Sequence, residues 1–220
     1  MIELPTEAEP VRIIQGDCLQ VLRELPDGCV DAVVTDPPYN VGFDYQGDES
    51  GDCKGDYEGW CREWFTELRR VCRGGIAISI GMANIDVWSR IQKPSWWMCW
   101  HKPAAMGRSP IGFNNWEPIA IYGKPHRQGC DVIEAQIRPD ADLEGHPCPK
   151  PLKWGRKLVD LFCPPGGIVL EPFGGSGTVA TACVVEHRRC LSIEREPAYC
   201  DIARRRVAEA MGTGLLAGIA

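Results

Sequence analysis

The 220-residue sequence predicts a Rossmann-like α/β fold, a doubly wound and mostly parallel sheet that carries a strand hairpin. Three observations support this. Two short apolar runs, residues 30–35 (VDAVVT) and 167–171 (GIVLE), stop at Pro or Gly and feed a helical pattern, which is the signature of a βα unit. Strand-like and helix-like segments alternate along the chain, as a sheet with helices on both faces requires. No internal repeat or low-complexity linker divides the chain, and its length suits one core, so residues 1–220 read as a single domain.

The elements follow in order. Helices are expected over 19–25, 59–72, 154–161, 179–186 and 198–211, and further strands over 76–80, 96–100, 118–122 and 190–194. In the second helix Trp60, Trp64, Leu68 and Cys72 recur every four residues as an inward stripe, with Arg62, Glu63 and Arg69 facing out. Segment 103–149 lacks periodicity and is rich in Pro, Gly, Asn and basic residues. It reads as a strand hairpin with long loops, suited to substrate recognition. In doubly wound sheets ligands sit beyond the carboxyl ends of the strands, so the residues after 35 and after 171 become the candidate site.

Composition excludes several classes. Hydrophobic residues make up 44% and charged residues 25%, ordinary for a globular protein. No apolar run approaches the roughly 18 residues of a membrane span, and residues 1–10 carry acids where a signal peptide carries bases. A cytoplasmic protein with no membrane partner is expected. The 12 cysteines contain no Cys-x-x-Cys pair and lie mostly in apolar segments, so they read as reduced core residues and no metal site is assigned. Net charge is −6, unevenly spread. Residues 1–89 hold 7 Lys/Arg against 17 Asp/Glu, a balance of −10, whereas residues 90–157 hold 11 against 6, a balance of +5. A basic middle third is what phosphate contact needs.

Asp36-Pro37-Pro38-Tyr39 closes the first apolar run. The nitrogen of an aromatic amine is a poor nucleophile because its lone pair is delocalised into the ring. A carboxylate and a carbonyl that accept both amine hydrogens draw the nitrogen toward tetrahedral geometry and localise that pair. Asp36 supplies the carboxylate and Pro37 the carbonyl; with Pro38, two successive prolines make a stiff turn without N–H donors. Tyr39 offers a ring on which an extruded base can stack.

The second site is Glu171-Pro172-Phe173-Gly174-Gly175-Ser176-Gly177-Thr178. A glycine turn between strand and helix lets backbone approach a ligand closely, and the helix terminus adds donors. It lacks the Gly-Lys-Ser/Thr ending of a phosphate-binding loop and opens with an acid, which suits a cationic ligand such as S-adenosylmethionine. Glu194 ends the next strand, where dinucleotide folds place a ribose-binding acid.

These motifs resemble the β-class DNA amino-methyltransferases (N6-adenine or N4-cytosine), a circularly permuted family in which Asp-Pro-Pro-Tyr precedes the glycine motif. The resemblance spans nearly the whole chain and implies S-adenosylmethionine as cofactor and double-stranded DNA as partner. By resemblance, Asp17 and Cys18 in Gly16–Leu19 match the element that contacts the cofactor's adenine, and Lys150 lies in a His-Pro-x-x-Lys-Pro segment (146–151) that lines the cofactor pocket. Glu171, Phe173, Gly175, Ser176, Gly177 and Thr178 match the cofactor loop, with Glu171 where Asp is usual, and Glu194 matches the ribose-binding acid. Asp rather than Ser at the head of the tetrad implies adenine N6. The chain is short for the family, which confines a target-recognition insert to about 103–145 and leaves both a monomer and a homodimer open. Cytosine N4 methylation, RNA methylation and a non-catalytic nucleic-acid-binding subunit are the alternatives. Cytosine C5 methylation is discounted because the sole Pro-Cys pair, Pro147-Cys148, follows no strand.

Overall fold

A computed structural model of the chain describes residues 2–42, 52, 54–105, 107–136 and 149–212. The elements run β1 (Val11–Gln15), α1 (Cys18–Glu24), β2 (Ala32–Thr35), α2 (Tyr57–Val71), β3 (Ile76–Ser79), α3 (Ile85–Ile91), β4 (Trp96–His101), β5 (Gly107–Ser109), β6 (Gly112–Asn114), β7 (Trp116–Tyr122), β8 (Val132–Glu134), α4 (Leu152–Phe162), β9 (Ile168–Glu171), α5 (Thr178–Val185), β10 (Arg189–Glu194) and α6 (Pro197–Gly212). Eight strands form one sheet in the order β1-β10-β9-β2-β3-β7-β4-β8. All neighbours are parallel except at β7, which runs against both β3 and β4.

Strands β2, β3 and β9 are buried along their full length, as continuous apolar runs in a sheet covered on both faces must be. Successive residues serve opposite layers. Ala32 and Val34 pack with Trp154 and Leu158 of α4, Val179 of α5 and Val207 of α6. Val33, between them, packs with Leu22 of α1, Trp64 of α2 and Trp88 of α3. The expected α2 stripe holds, with Trp64 and Leu68 fully buried, Trp60 and Cys72 half-buried, and Arg62, Glu63 and Arg69 exposed. Of the cysteines, ten are described and free, six of them buried. Burial pushes the Cys18, Cys61 and Cys163 thiols up to about 12, so they pack as neutral small hydrophobes.

Strand order reverses between β9 and β2, which pair through Ala32–Val169 and Val33–Leu170. From β2 the chain moves outward through α2 to β3; from β9 it moves outward the other way through α5 to β10. Such a reversal opens a crevice at the carboxyl edge, and both sequence motifs begin there.

Four elements differ from the sequence expectation, one of them β8, a further edge strand that pairs in parallel with β4. The first strand is β1, ahead of residue 30; interrupted by Arg12 and lying at the sheet edge, it is defined by its pairing with β10. At residue 30 the run makes only an isolated bridge, Val30 to Cys72, before β2 begins at Ala32. Helix α3 is too short to register as a period, and burial of Trp88 holds it. The expected hairpin forms as β5–β6. Among the described residues no helix is long and apolar enough to cross a membrane.

Candidate active site

The tetrad occupies the carboxyl end of β2, and its turn is tied down by backbone carbonyls. Tyr57 on α2 donates its hydroxyl to the Pro38 carbonyl (2.9 Å), and the Asn84 amide donates to the Tyr39 carbonyl (2.6 Å). Asn40 takes a left-handed conformation (φ 59°). The buried Asp52 carboxylate then accepts from the Asn40 and Val41 N–H groups at 2.6 and 3.0 Å. Asp56 caps α2 by accepting from Gly59 N–H. Two acids of the loop beyond the tetrad therefore have structural duties, while Asp44, Asp48 and Glu49 lie outside the described residues. Among the described residues no donor is directed at the Pro37 carbonyl, which leaves it available as an acceptor.

Asp36 sits in a cluster of opposite charges. Tyr39 donates its hydroxyl to Asp36 Oδ1 at 2.6 Å, and Lys150 Nζ lies 2.6 Å from Oδ2. Glu117 on β7 joins from the far side: Oε2 accepts from the Tyr39 hydroxyl at 3.2 Å and lies 3.8 Å from Lys150 Nζ. Its Oε1 accepts from Lys102 Nζ at 2.5 Å. The Trp100 ring stands 5.2 Å from Lys150 Nζ and 5.1 Å from Lys102 Nζ, within cation–π range of both. Burial pushes the Asp36 carboxyl up, opposed by Lys150. Burial acts on Glu117 too, but Lys150 and Lys102 outweigh it and hold that carboxyl below its ordinary range. The Tyr39 phenol is pushed up by burial and both acids, so it stays a donor. Its ring packs against Gly81, with Lys150 Nζ 5.2 Å from its centroid.

One strand over, the glycine turn leaves β9. Gly177 N-caps α5 at φ 77°, and a Cβ there would lie 2.7 Å from the Ala203 methyl on α6. At Gly174 a Cβ would collide with the Ser192 hydroxyl. Both positions exclude side chains because the turn is pressed between β10 and α6. Gly175 N–H donates to Glu194 Oε2 (2.6 Å) and Glu196 N–H to Glu194 Oε1 (2.8 Å), so the acid is already gripped by backbone. The Gly16 N–H donates to the Glu194 carbonyl, which seats the Asp17 turn beside it. Asp17 caps α1 through Gln20 N–H and is exposed, whereas Cys18 behind it is buried. Glu171 is 3% exposed, and its Oε2 meets no partner among the described residues. Burial raises its carboxyl well above the ordinary range, with Cys190, Asp36 and Glu194 adding to the effect. An orphaned buried acid at the mouth of a glycine turn suits a cationic ligand.

The two motifs meet. Helix α2 bridges them: Tyr57 holds Pro38 while Trp60 and Trp64 pack on Phe173 at ring separations of 5.6 and 5.2 Å. Lys150 bridges them again, with its carbonyl accepting from the Thr178 hydroxyl (3.1 Å). Its ammonium enters the Asp36 cluster. The Ser176 and Thr178 side chains also turn inward: Arg206 on α6 donates to the Ser176 carbonyl (2.7 Å), the Ser176 hydroxyl (3.0 Å) and the Thr178 hydroxyl (3.3 Å). His146, Pro147 and Cys148 lie outside the described residues. Sequence reasoning missed Glu117, Lys102 and Arg206. An acid heading the apolar run of β7 was the one available signal for Glu117. Arg206 is indistinguishable from its neighbours Arg204 and Arg205 until α6 is docked.

A family model described as DNA methylase, of the N6/N4 type, matches residues 30–138 and 114–205. YubD of Escherichia coli (strain K12), which carries a methylase name, is 32% identical over 216 residues, spanning 90% of each chain. Among solved structures, the cytosine-N4-specific PvuII DNA methyltransferase superposes with a TM-score of 0.74 at 17% identity, covering 96% of this chain and 94% of that one. The complex of M1.HpyAVI with SAM gives 0.70 at 21% identity, over 90% and 98%. TTHA0409 of Thermus thermophilus, complexed with S-adenosyl-L-methionine, gives 0.63 at 24% identity, over 91% and 96%. With a family model matched over more than half its length and a relative of this similarity, the chain belongs to the N6/N4 family of DNA methylases.

Proposed function

We propose that this DNA methylase transfers a methyl group from S-adenosylmethionine to the exocyclic amine of a base flipped from double-stranded DNA, with adenine N6 the target. The observation that carries this reading is the placement of Asp36 and the glycine turn on adjacent strand tips at the reversal of strand order. Asp36 and the Pro37 carbonyl accept the two amine hydrogens, which localises the nitrogen lone pair. When bound, the cofactor supplies an electrophilic methyl group on a sulfonium. Glu171 answers its positive charge, Glu194 and Asp17 stand where ribose and adenine would be held, and the backbone of Gly175 to Gly177 packs close. Phe173 seals the pocket against α2, and positioning two bound reactants lowers the barrier by roughly 7–11 kcal/mol in favourable cases.

The DNA assignment draws support from the hairpin. Residues 102–105 and 107–115 leave the sheet between His101 and Trp116, which pair at the same edge that carries Asp36. Ile111 is 97% exposed and Phe113 57% exposed, with Arg108 lying 5.8 Å from the Phe113 ring. An exposed apolar tip with a cation beside it suits a duplex surface, and we assign it to the recognition insert. Adenine is favoured by the Asp that opens the tetrad. Cytosine N4 is the second reading, favoured by the likeness to a cytosine-N4-specific enzyme. Incubation with tritiated S-adenosylmethionine and mixed-sequence DNA, followed by digestion to nucleosides, tests both. Label in N6-methyldeoxyadenosine supports the proposal, label in N4-methyldeoxycytidine the second reading, and unlabelled DNA refutes both.

A further inference from the structure

The carboxylate that is to receive the amine is already engaged. Asp36 Oδ1 is taken by the Tyr39 hydroxyl and Oδ2 by the Lys150 ammonium, each at 2.6 Å. An ammonium in direct contact neutralises the charge that draws on the amine hydrogens, so the resting arrangement weakens Asp36 as an acceptor. A second carboxylate stands within reach of the same two donors. Glu117 Oε2 is 3.2 Å from the Tyr39 hydroxyl and 3.8 Å from Lys150 Nζ, and Lys102 anchors its other oxygen.

We infer that Glu117 is a positioning residue that draws Lys150 and the Tyr39 hydroxyl off Asp36 when the target amine arrives. The inference rests on the methyl-transfer reading above. Lys150 Nζ needs to move only about 1 Å to make a normal hydrogen bond to Glu117. The exchange creates no uncompensated charge: two ammoniums and two carboxylates share the cluster before and after it. The Trp100 ring stays beside both ammoniums, which gives Lys150 an unbroken cation–π surface along the way. Lys150 and Lys102 together hold Glu117 in its ionised form against burial, so a charged carboxylate anchored by Lys102 stands ready to receive the Lys150 ammonium. Once Lys150 moves, Asp36 faces the amine with its full charge. The groups that face Glu117 are Tyr39 and Asp36 beyond β2, Lys102 beyond β4 and Lys150 ahead of α4, with Glu171 of β9 acting on Asp36 from behind.

The test is Glu117→Gln in the full chain, assayed for methyl transfer to DNA beside the unaltered protein. The amide still accepts from Lys102 but carries no charge to draw Lys150. We expect kcat to fall about 10–100-fold, with the KM for DNA and the Kd for S-adenosylmethionine changing less than about 3-fold. The acid limb of the kcat profile should move to lower pH, because the like charge that raised Asp36 is gone while Lys150 stays on it. Glu117→Asp, which keeps the charge, should recover part of the rate. Lys150→Met should suppress the Glu117→Gln defect, since no ammonium remains to be withdrawn. Unchanged kcat, an unmoved acid limb, or additive losses in the double variant overturn the inference. If Glu117→Gln does not fold, Glu117→Ala and its double variant with Lys150→Met decide: parental kcat in Glu117→Ala, or a double variant no faster than Glu117→Ala, overturns it. If the unaltered protein methylates no DNA, the underlying reading falls and takes this one with it; if it does while Glu117→Gln behaves identically, only this inference fails.

Discussion

Replacing Arg206 by Met probes how the glycine turn is held. The substitution keeps the stem along α6 and removes the guanidinium that reaches the Ser176 carbonyl, the Ser176 hydroxyl and the Thr178 hydroxyl. Ser176 and Thr178 are 3% and 5% exposed, so water does not readily replace the lost donor. A hydrogen bond from a charged donor contributes about 1.5–3 kcal/mol, and a buried group left unpaired costs about 1–3 kcal/mol. All three contacts come from the single Nη1 nitrogen of a half-buried side chain, which discounts their sum to about 2–4 kcal/mol. For a chain of this size that lowers Tm by about 5–12 °C. The released turn also misplaces the Gly175 N–H that grips Glu194, so affinity for S-adenosylmethionine should drop about 10-fold or more. Urea unfolding and titration calorimetry measure the two effects, and Arg206→Lys should fall between. A Met variant with the parental midpoint and parental affinity would refute the view that α6 organises the cofactor turn.

Other perturbations separate the remaining parts of the site. Asp36→Ala should cut methyl transfer at least about 100-fold while leaving cofactor affinity within about 3-fold, read by tritium transfer and calorimetry. Gly177→Ala should destabilise by about 2–4 kcal/mol in urea unfolding, combining a left-handed φ of 77° with contact on Ala203. Glu171 has a raised folded-state pKa, so stability is full below its ordinary value of 4.5 and declines as pH rises above it. Ligand-free Glu171→Gln should therefore melt above the parent near neutral pH but not below about pH 4. On the proposed role of Glu171 the cofactor meets the ionised acid, so parental affinity should weaken as pH falls, while that of the Gln variant should be lower and less dependent on pH.

Much of the fold was legible because its signals are local. Buried parallel strands read as uninterrupted apolar runs, and Pro37 and Gly174 mark where two of them end. The four-residue stripe of α2 announced a buried face, and Trp64 and Leu68 occupy it. Strand β1 was not legible, since five residues broken by Arg12 carry no period and only the pairing with β10 defines them. Helix α3 escaped for a similar reason. Lys150 stood out in the sequence by its motif, yet its chain neighbours do not say that its ammonium reaches Asp36. Glu117 is separated from Asp36 by 81 positions and reaches it because β7 turns back beside β3.

The sequence by itself determined the alternation of strands and helices, the two turns that end in the site, and the chemistry each turn offers. Those properties depend on periodicity and on residues with restricted backbones, which act over a few positions. Tertiary structure alone decided the charge balance around Asp36, the orphaned oxygen of Glu171 and the anchoring of the glycine turn by Arg206. Each is set by the desolvation and spacing of groups from different elements, and Coulomb and hydrogen-bond energies depend on distance through space, which separation along the chain does not encode.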